Sequence, residues 1–181
     1  MKVFAIDPGN RQSAYCIMDD DYKLREFNKA PNGIVAEILR TFLKGRKDGD
    51  RIAVERVASY GMAVGRDVFE TCEWIGRFTQ IARDDGSYVD YVYRKDEKLN
   101  LCHDMRAKDA NIRQALINRF AMFDFKNGKG TKAQPDYFYG VSRDCWAAIA
   151  VAVTFLDRLE DMGDEEVSQG QGDGKWPTFQ D

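Results

Sequence analysis

The sequence predicts an α/β fold: a five-stranded mixed sheet with helices on both faces. Three observations lead there. Three short strand segments open the chain, joined by short links. Two further strand segments then alternate with amphipathic helical segments, and the last helical segment is apolar almost all round.

Each element has a local reason. Residues 2–6 form an apolar run that stops at Asp7-Pro8-Gly9-Asn10, where proline and glycine favour a turn. Residues 13–18 read as a second strand and 22–28 as a third, with Asp19-Asp20-Asp21 as the polar turn of an antiparallel meander. Asn32 and Gly33 precede Ile34, Val35, Ile38, Leu39, Phe42 and Leu43, whose spacing predicts a helix over 34–44. Residues 51–57 are a fourth strand with Glu55 inside it. The spacing of Val64, Val68, Cys72, Ile75 and Ala82 predicts a helix over 63–82. Gly86 marks a turn, and 88–93 is a β-rich fifth strand. A helix over 106–123 turns Ile112, Ala115, Leu116, Phe120 and Phe123 inward. Residues 126–134 read as a mobile basic loop, and a final helix starting near Ser142 packs on the sheet. Residues 1–162 are expected to form one folded domain, and 163–181, rich in Gly, acid and Gln, a disordered tail.

Bulk properties exclude several classes. The 181 residues fit one domain with a sizeable core. The longest apolar run, 145–156, is broken only by Thr154 and is too short to span a bilayer, so no membrane partner is expected. Asp7 interrupts the amino-terminal segment too early for a secretory signal, which points to a cytoplasmic protein. The cysteines at 16, 72, 102 and 145 lack CxxC spacing, and His103 is the single histidine, which argues against a zinc site. The net charge of −3 is unevenly spread. Residues 160–181 carry seven acids and one base, leaving the rest of the chain mildly basic and compatible with phosphate binding.

Three acids stand where apolar elements end. Asp7 closes the first strand, Glu55 interrupts Ile52-Ala53-Val54-Glu55, and Asp144 sits in the first turn of the last helix. Brought together, they suit metal-assisted phosphodiester hydrolysis, because hard Mg²⁺ prefers carboxylate oxygens. Simpler roles are open for each: a turn former at Asp7, a helix cap at Asp144, and surface pairing of Glu55 with Arg51 or Arg56.

These residues carry a resemblance. Phe4-Ala5-Ile6-Asp7-Pro8-Gly9-Asn10 with Ser13-Ala14-Tyr15 resembles the opening hairpin of RuvC-type Holliday junction resolvases. Ile52-Ala53-Val54-Glu55-Arg56-Val57 is similar to that family's second acidic motif. The run from Asp144-Cys145-Trp146 through Thr154 is similar to its last motif, an acid opening an alanine-rich helix. The order agrees over residues 1–157, and the stretch from Tyr60 to Thr71 is closer to phage-encoded versions. The resemblance implies a ribonuclease H-like fold and a homodimer that nicks four-way DNA junctions symmetrically. It also implies Mg²⁺ dependence, with Mn²⁺ as a substitute. It assigns Asp7, Glu55 and Asp144 as metal ligands, and Lys98 and Lys108 as catalytic lysines near the scissile bond.

DNA contacts are expected from Lys98, Arg106 and Lys108, from Lys126, Lys129 and Lys132 in the basic loop, and from Tyr60 and Met62, which follow Glu55 and could face a junction centre. One departure stands out. The family pairs two metal-binding residues three apart at the last motif, whereas Ala147 and Val141 flank Asp144 at those positions. Glu70, Asp136 or His103 are candidate substitutes. The alternatives are a same-fold nuclease acting on other branched DNA or RNA, and a catalytically weakened junction-binding protein.

Overall fold

The computed structural model describes residues 1–58, 61, 63–142 and 144–168. Strands β1 (Lys2–Asp7), β2 (Gln12–Asp19) and β3 (Leu24–Pro31) form the predicted meander. They are followed by α1 (Asn32–Lys44), β4 (Arg51–Arg56), α2 (Arg66–Asp84), β5 (Val89–Tyr93), α3 (Arg94–Cys102), α4 (Asp109–Phe120) and α5 (Cys145–Ser168). The sheet order is β3-β2-β1-β4-β5; β1 runs antiparallel to β2 and parallel to β4, and β4 runs parallel to β5.

Period-2 alternation divides the strands between two cores. Phe4, Ile6, Tyr15, Ile52 and Val54 pack against Val35 and Leu39 of α1 and Ile75 and Phe78 of α2. Val3, Ala5, Ala14, Cys16, Ala53 and Val92 face Leu116 and Ile117 of α4 and the apolar stripe of α5 from Ala148 to Leu156. Helices therefore cover both faces, as predicted. Among the described residues no helix is long and apolar enough to cross a membrane.

Several expectations need correction. Helix α3 has no counterpart in the predicted elements. Its sequence, RKDEKLNLC, lacks an apolar stripe; polar contacts hold it instead. Asp96 accepts the Tyr93 N–H at 2.8 Å and pairs with Arg158 of α5 at 2.7 Å, and Asn100 donates to Asp157 at 2.5 Å. Helix α2 starts at Arg66 and buries Ile75, Phe78, Thr79 and Ala82, so Val64 and Cys72 are exposed. Helix α4 ends at Phe120, because Ala121 turns to extended backbone, and this leaves Phe123 outside the helix and exposed. Helix α5 begins at Cys145, so Asp144 immediately precedes it, and it runs to Ser168; the remainder of the expected tail, 169–181, lies outside the described residues.

The segment joining α4 to α5 is the largest revision. The expected mobile loop is a tightly bonded knot around two carboxylates. Asp136 accepts the backbone N–H groups of Met122, Phe123, Asp124 and Tyr137 at 2.7–3.1 Å. Asp124 accepts those of Asn127, Lys129 and Gly130 at 3.0–3.1 Å. Gly128 and Gly130 take positive φ inside the knot, and a Cβ on Gly130 would come within 2.4 Å of the Gln134 carbonyl. The glycines here serve compactness rather than freedom.

Candidate functional site

Strand register builds the site. Ile6 pairs with Val54 across parallel β1 and β4, so the next residues, Asp7 and Glu55, stand side by side near the carboxyl ends of adjacent strands, each still paired on its other side, with Ala14 and Val92. By alternation they share a face with Ala5 and Ala53, the face covered by α5. Ligands in α/β sheets commonly bind at such strand ends.

A buried polar network fixes the turn after Asp7. The Ser13 hydroxyl donates to Asn32 Oδ1 at 2.7 Å, Asn32 Nδ2 donates to the Gly9 carbonyl at 2.8 Å, and the Gly9 N–H donates to Ser13 Oγ at 3.3 Å. Gly9 is required there, because a Cβ would lie 2.4 Å from the Gln12 carbonyl oxygen.

Asp7, Glu55 and Asp144 all line one open cleft of about 1040 Å³, together with Lys29, Arg94, Asp109, Arg113, Lys126, Trp146 and Ala147. Asp7 and Glu55 lie within hydrogen-bonding reach of each other. Burial raises the Asp7 carboxyl above its usual range. Burial raises Glu55 well above its range, and the neighbouring charges of Glu97 and Asp7 add to the effect. Neither Arg51 nor Arg56 neutralises Glu55. Arg56 lies over the Tyr91 ring at 4.9 Å, and Arg51 acts electrostatically on Asp90. Asp144 is exposed and pairs with Lys29 at 3.3 Å.

A second tier lies beside this pair. Glu97 of α3 is fully buried and pairs with Arg94 at 2.5 Å, while its other carboxylate oxygen has no hydrogen-bond partner among the described residues. Burial pushes Glu97 up to about 8, against the pull of Arg94 and with the push of Asp7. Arg94 also pairs with Asp109 at 2.5 Å. The result is a guanidinium clamped between two acids at the edge of the cleft, acting on Asp7 and Glu55 at longer range.

The other sequence-predicted residues fall as follows. Lys126 lines the cleft. Lys132 is exposed and Lys129 half-buried in the α4–α5 knot. Arg106 and Lys108 are exposed just before α4, and the Lys108 N–H is held by Asn111 Oδ1 at 2.9 Å. Lys98 is half-buried on α3 and is not part of the cleft wall. Tyr60 and Met62 lie outside the described residues. None of the three substitute ligands joins Asp7 and Glu55. Asp136 is consumed by four backbone donors, and Glu70 pairs with Arg66 at 2.6 Å. His103 is exposed, in the left-handed conformation that ends α3.

Sequence reasoning missed Arg94, Glu97, Asp109 and Lys29. Two of these sit in the unforeseen helix α3. The one available signal was an Arg three residues before a Glu directly after the fifth strand.

Oxygen donors, crowded like charges and raised carboxyl pKa values make Asp7 and Glu55 a fitting pair for a hard cation. Among the described residues, no group of three or more Asp, Glu, His or Cys is close enough to hold an ion by itself. The pair fits an ion completed by water or a substrate oxygen, and Asp144 would have to leave Lys29 to join it.

No family model and no curated sequence matches the chain. Solved structures do. RuvC of Thermus thermophilus in complex with a Holliday junction substrate aligns with TM-score 0.66 and 15% identity, over 90% of this chain and 96% of that one. A second Thermus thermophilus RuvC structure aligns with TM-score 0.63 and 15% identity, over 88% of this chain and 97% of that one. Fowlpox virus resolvase in complex with Holliday junction DNA aligns with TM-score 0.51 and 13% identity, over 86% and 99%. The chain has the ribonuclease H-like fold, in the strand and helix arrangement of RuvC.

Proposed function

We propose that the chain is a divalent-metal-dependent endodeoxyribonuclease that resolves four-way DNA junctions by paired phosphodiester hydrolysis, acting as a homodimer in the cytoplasm. One observation carries this reading. Asp7 and Glu55 emerge side by side from parallel strands into a cleft that also holds Asp144, Arg94, Lys29 and Lys126. The RuvC arrangement of the fold supports it.

Mg²⁺, or Mn²⁺ in its place, would be held by Asp7 and Glu55 and joined by Asp144. Once bound, it supplies Lewis acidity toward a phosphate oxygen and lowers the pKa of a coordinated water. The protein's own groups do the rest. Arg94, immobilised by Glu97 and Asp109, presents a fixed positive charge to the phosphate and occupies the role assigned from the resemblance to a lysine after the fifth strand. Lys29 releases Asp144 as a phosphate enters. Lys126, also in the cleft lining, receives the DNA backbone. Lys98, Arg106, Lys108, Lys129 and Lys132 contribute outside the cleft as phosphate contacts. Val141 and Ala147 carry no oxygen donor in their side chains, so Arg94 would supply positive charge where the family's last motif would otherwise hold a second ion.

The test is a labelled synthetic four-way junction in Mg²⁺ beside a linear duplex of the same sequence. The expected result is paired nicking of the junction with the duplex spared. Asp7→Asn and Glu55→Gln should bind the junction without cutting it. Equal cutting of duplex or RNA would indicate a same-fold nuclease with another substrate. The absence of an acid at 141 and 147 favours a second reading, a binding-only protein. Tight junction binding without cleavage in either Mg²⁺ or Mn²⁺ would select it.

A further inference from the structure

Phe125 immediately precedes two residues that line the cleft. It is 58% exposed, although the backbone N–H groups of Asp124 and Asn127 on either side of it are hydrogen-bonded. Its carbonyl accepts Gln114 Nε2 at 3.0 Å, and Gln114 lines the cleft. The next two residues, Lys126 and Asn127, also line the cleft. The preceding residue, Asp124, holds its own N–H on Asp136, and its carbonyl accepts the Gly128 N–H at 2.7 Å. An exposed aromatic residue is thus mounted on bonded backbone, its carbonyl held by a cleft-lining amide and its next residue a cleft-lining lysine.

We infer that Phe125 is a stacking platform for a base left unpaired at a DNA branch point, fixing where the branch sits relative to Asp7 and Glu55. The inference rests on the nuclease reading above and specifies its substrate recognition. Met122 and Phe123 of the same segment are also exposed, and exposed apolar residues that cluster mark an interaction site where single ones do not. The charge around it selects the partner. Lys126, Lys129 and Lys132 follow in the same knot, matching a polyanion whose bases carry flat apolar faces. Paired bases in linear duplex have those faces covered by their neighbours; a branch point uncovers them. The mount matters because a ring already fixed in place loses little freedom on stacking.

Anisotropy titrations of the full chain in EDTA, with a labelled four-way junction and a labelled linear duplex, test this. Stacking of one base predicts a roughly tenfold or greater loss of junction affinity in Phe125→Ala, with duplex affinity unchanged. Phe125→Trp should retain junction affinity. Phe125→Leu keeps apolar bulk without a π-face, should fold even if the alanine variant does not, and should show the same selective loss. Equal losses on junction and duplex, no loss with either variant, or a change in sedimentation mass would overturn the inference, the last by making the ring a contact between copies. Failure of the unaltered chain to prefer junction over duplex would instead overturn the nuclease reading itself.

Discussion

Replacing Asn32 with Ala removes a side chain that lies outside the cleft yet holds the turn after Asp7 in place. Asn32 is only 2% exposed and makes two bonds through its side chain, accepting from Ser13 at 2.7 Å and donating to the Gly9 carbonyl at 2.8 Å. A net hydrogen bond contributes about 0.5–1.5 kcal/mol, and a buried group left without a partner costs about 1–3 kcal/mol. Ser13 is fully buried, so its hydroxyl proton is stranded by the change. The expected destabilisation is about 2–4 kcal/mol, a large share of the roughly 5–15 kcal/mol that stabilises a domain. Urea titration should show a lower midpoint with an unchanged slope, and Tm should fall by roughly 5–15 °C. Ser13→Ala removes the stranded group, so Asn32→Ala should cost about 1 kcal/mol less in that background. Junction cleavage should fall with stability, because Asp7 immediately precedes the turn. A loss under about 0.5 kcal/mol for Asn32→Ala, or strict additivity of the two substitutions, would refute the reasoning.

Other outcomes follow from the same geometry. Changing Lys126, Lys129 and Lys132 together to Ala should reduce the slope of log affinity against log salt by up to about 0.9 for each phosphate that is no longer neutralised, measured by anisotropy on a junction. Asp7, Glu55 and Glu97 have raised pKa values, so the metal-free folded state holds protons that the unfolded state has released. Their contribution is fully present below about pH 4 and is lost as pH rises through the raised values, which for Glu97 is about 8. Thermal melts should therefore show metal-free stability falling from pH 5 to 8, and Mg²⁺ should raise Tm more at pH 8 than at pH 6. Gly130→Ala places a Cβ 2.4 Å from the Gln134 carbonyl and 2.7 Å from the Asp136 nitrogen at positive φ. Faster amide exchange at residues 122–130 should report the opened knot.

What the sequence revealed followed its apolar periodicity. The meander and the alternating strands and helices were legible because apolar spacing marks each element; the convergence of Asp7 with Glu55 was implied only by the family resemblance, since the parallel pairing of Ile6 with Val54 that produces it is set by the fold. Asp144 was legible as the acid opening an apolar helix, although its pairing with Lys29 was not. Helix α3 was invisible because Asp96, Asn100, Asp157 and Arg158 hold it by charge and hydrogen bonds between segments about 60 residues apart. Glu97 and Arg94 went unseen with it. The basic segment looked mobile because Gly128 and Gly130 signal freedom in isolation. Only the structure reveals that Asp124 and Asp136 bind the backbone around them. Helical spacing carried past Phe120 turns Phe123 inward, but the chain leaves the helix at Ala121.

The most direct test of the central claim is anomalous diffraction from crystals of the chain soaked in Mn²⁺. The expected result is a strong peak beside the carboxylates of Asp7 and Glu55, with Asp144 turned from Lys29 toward it. A cleft without a peak, or a principal site built on other residues, would contradict it.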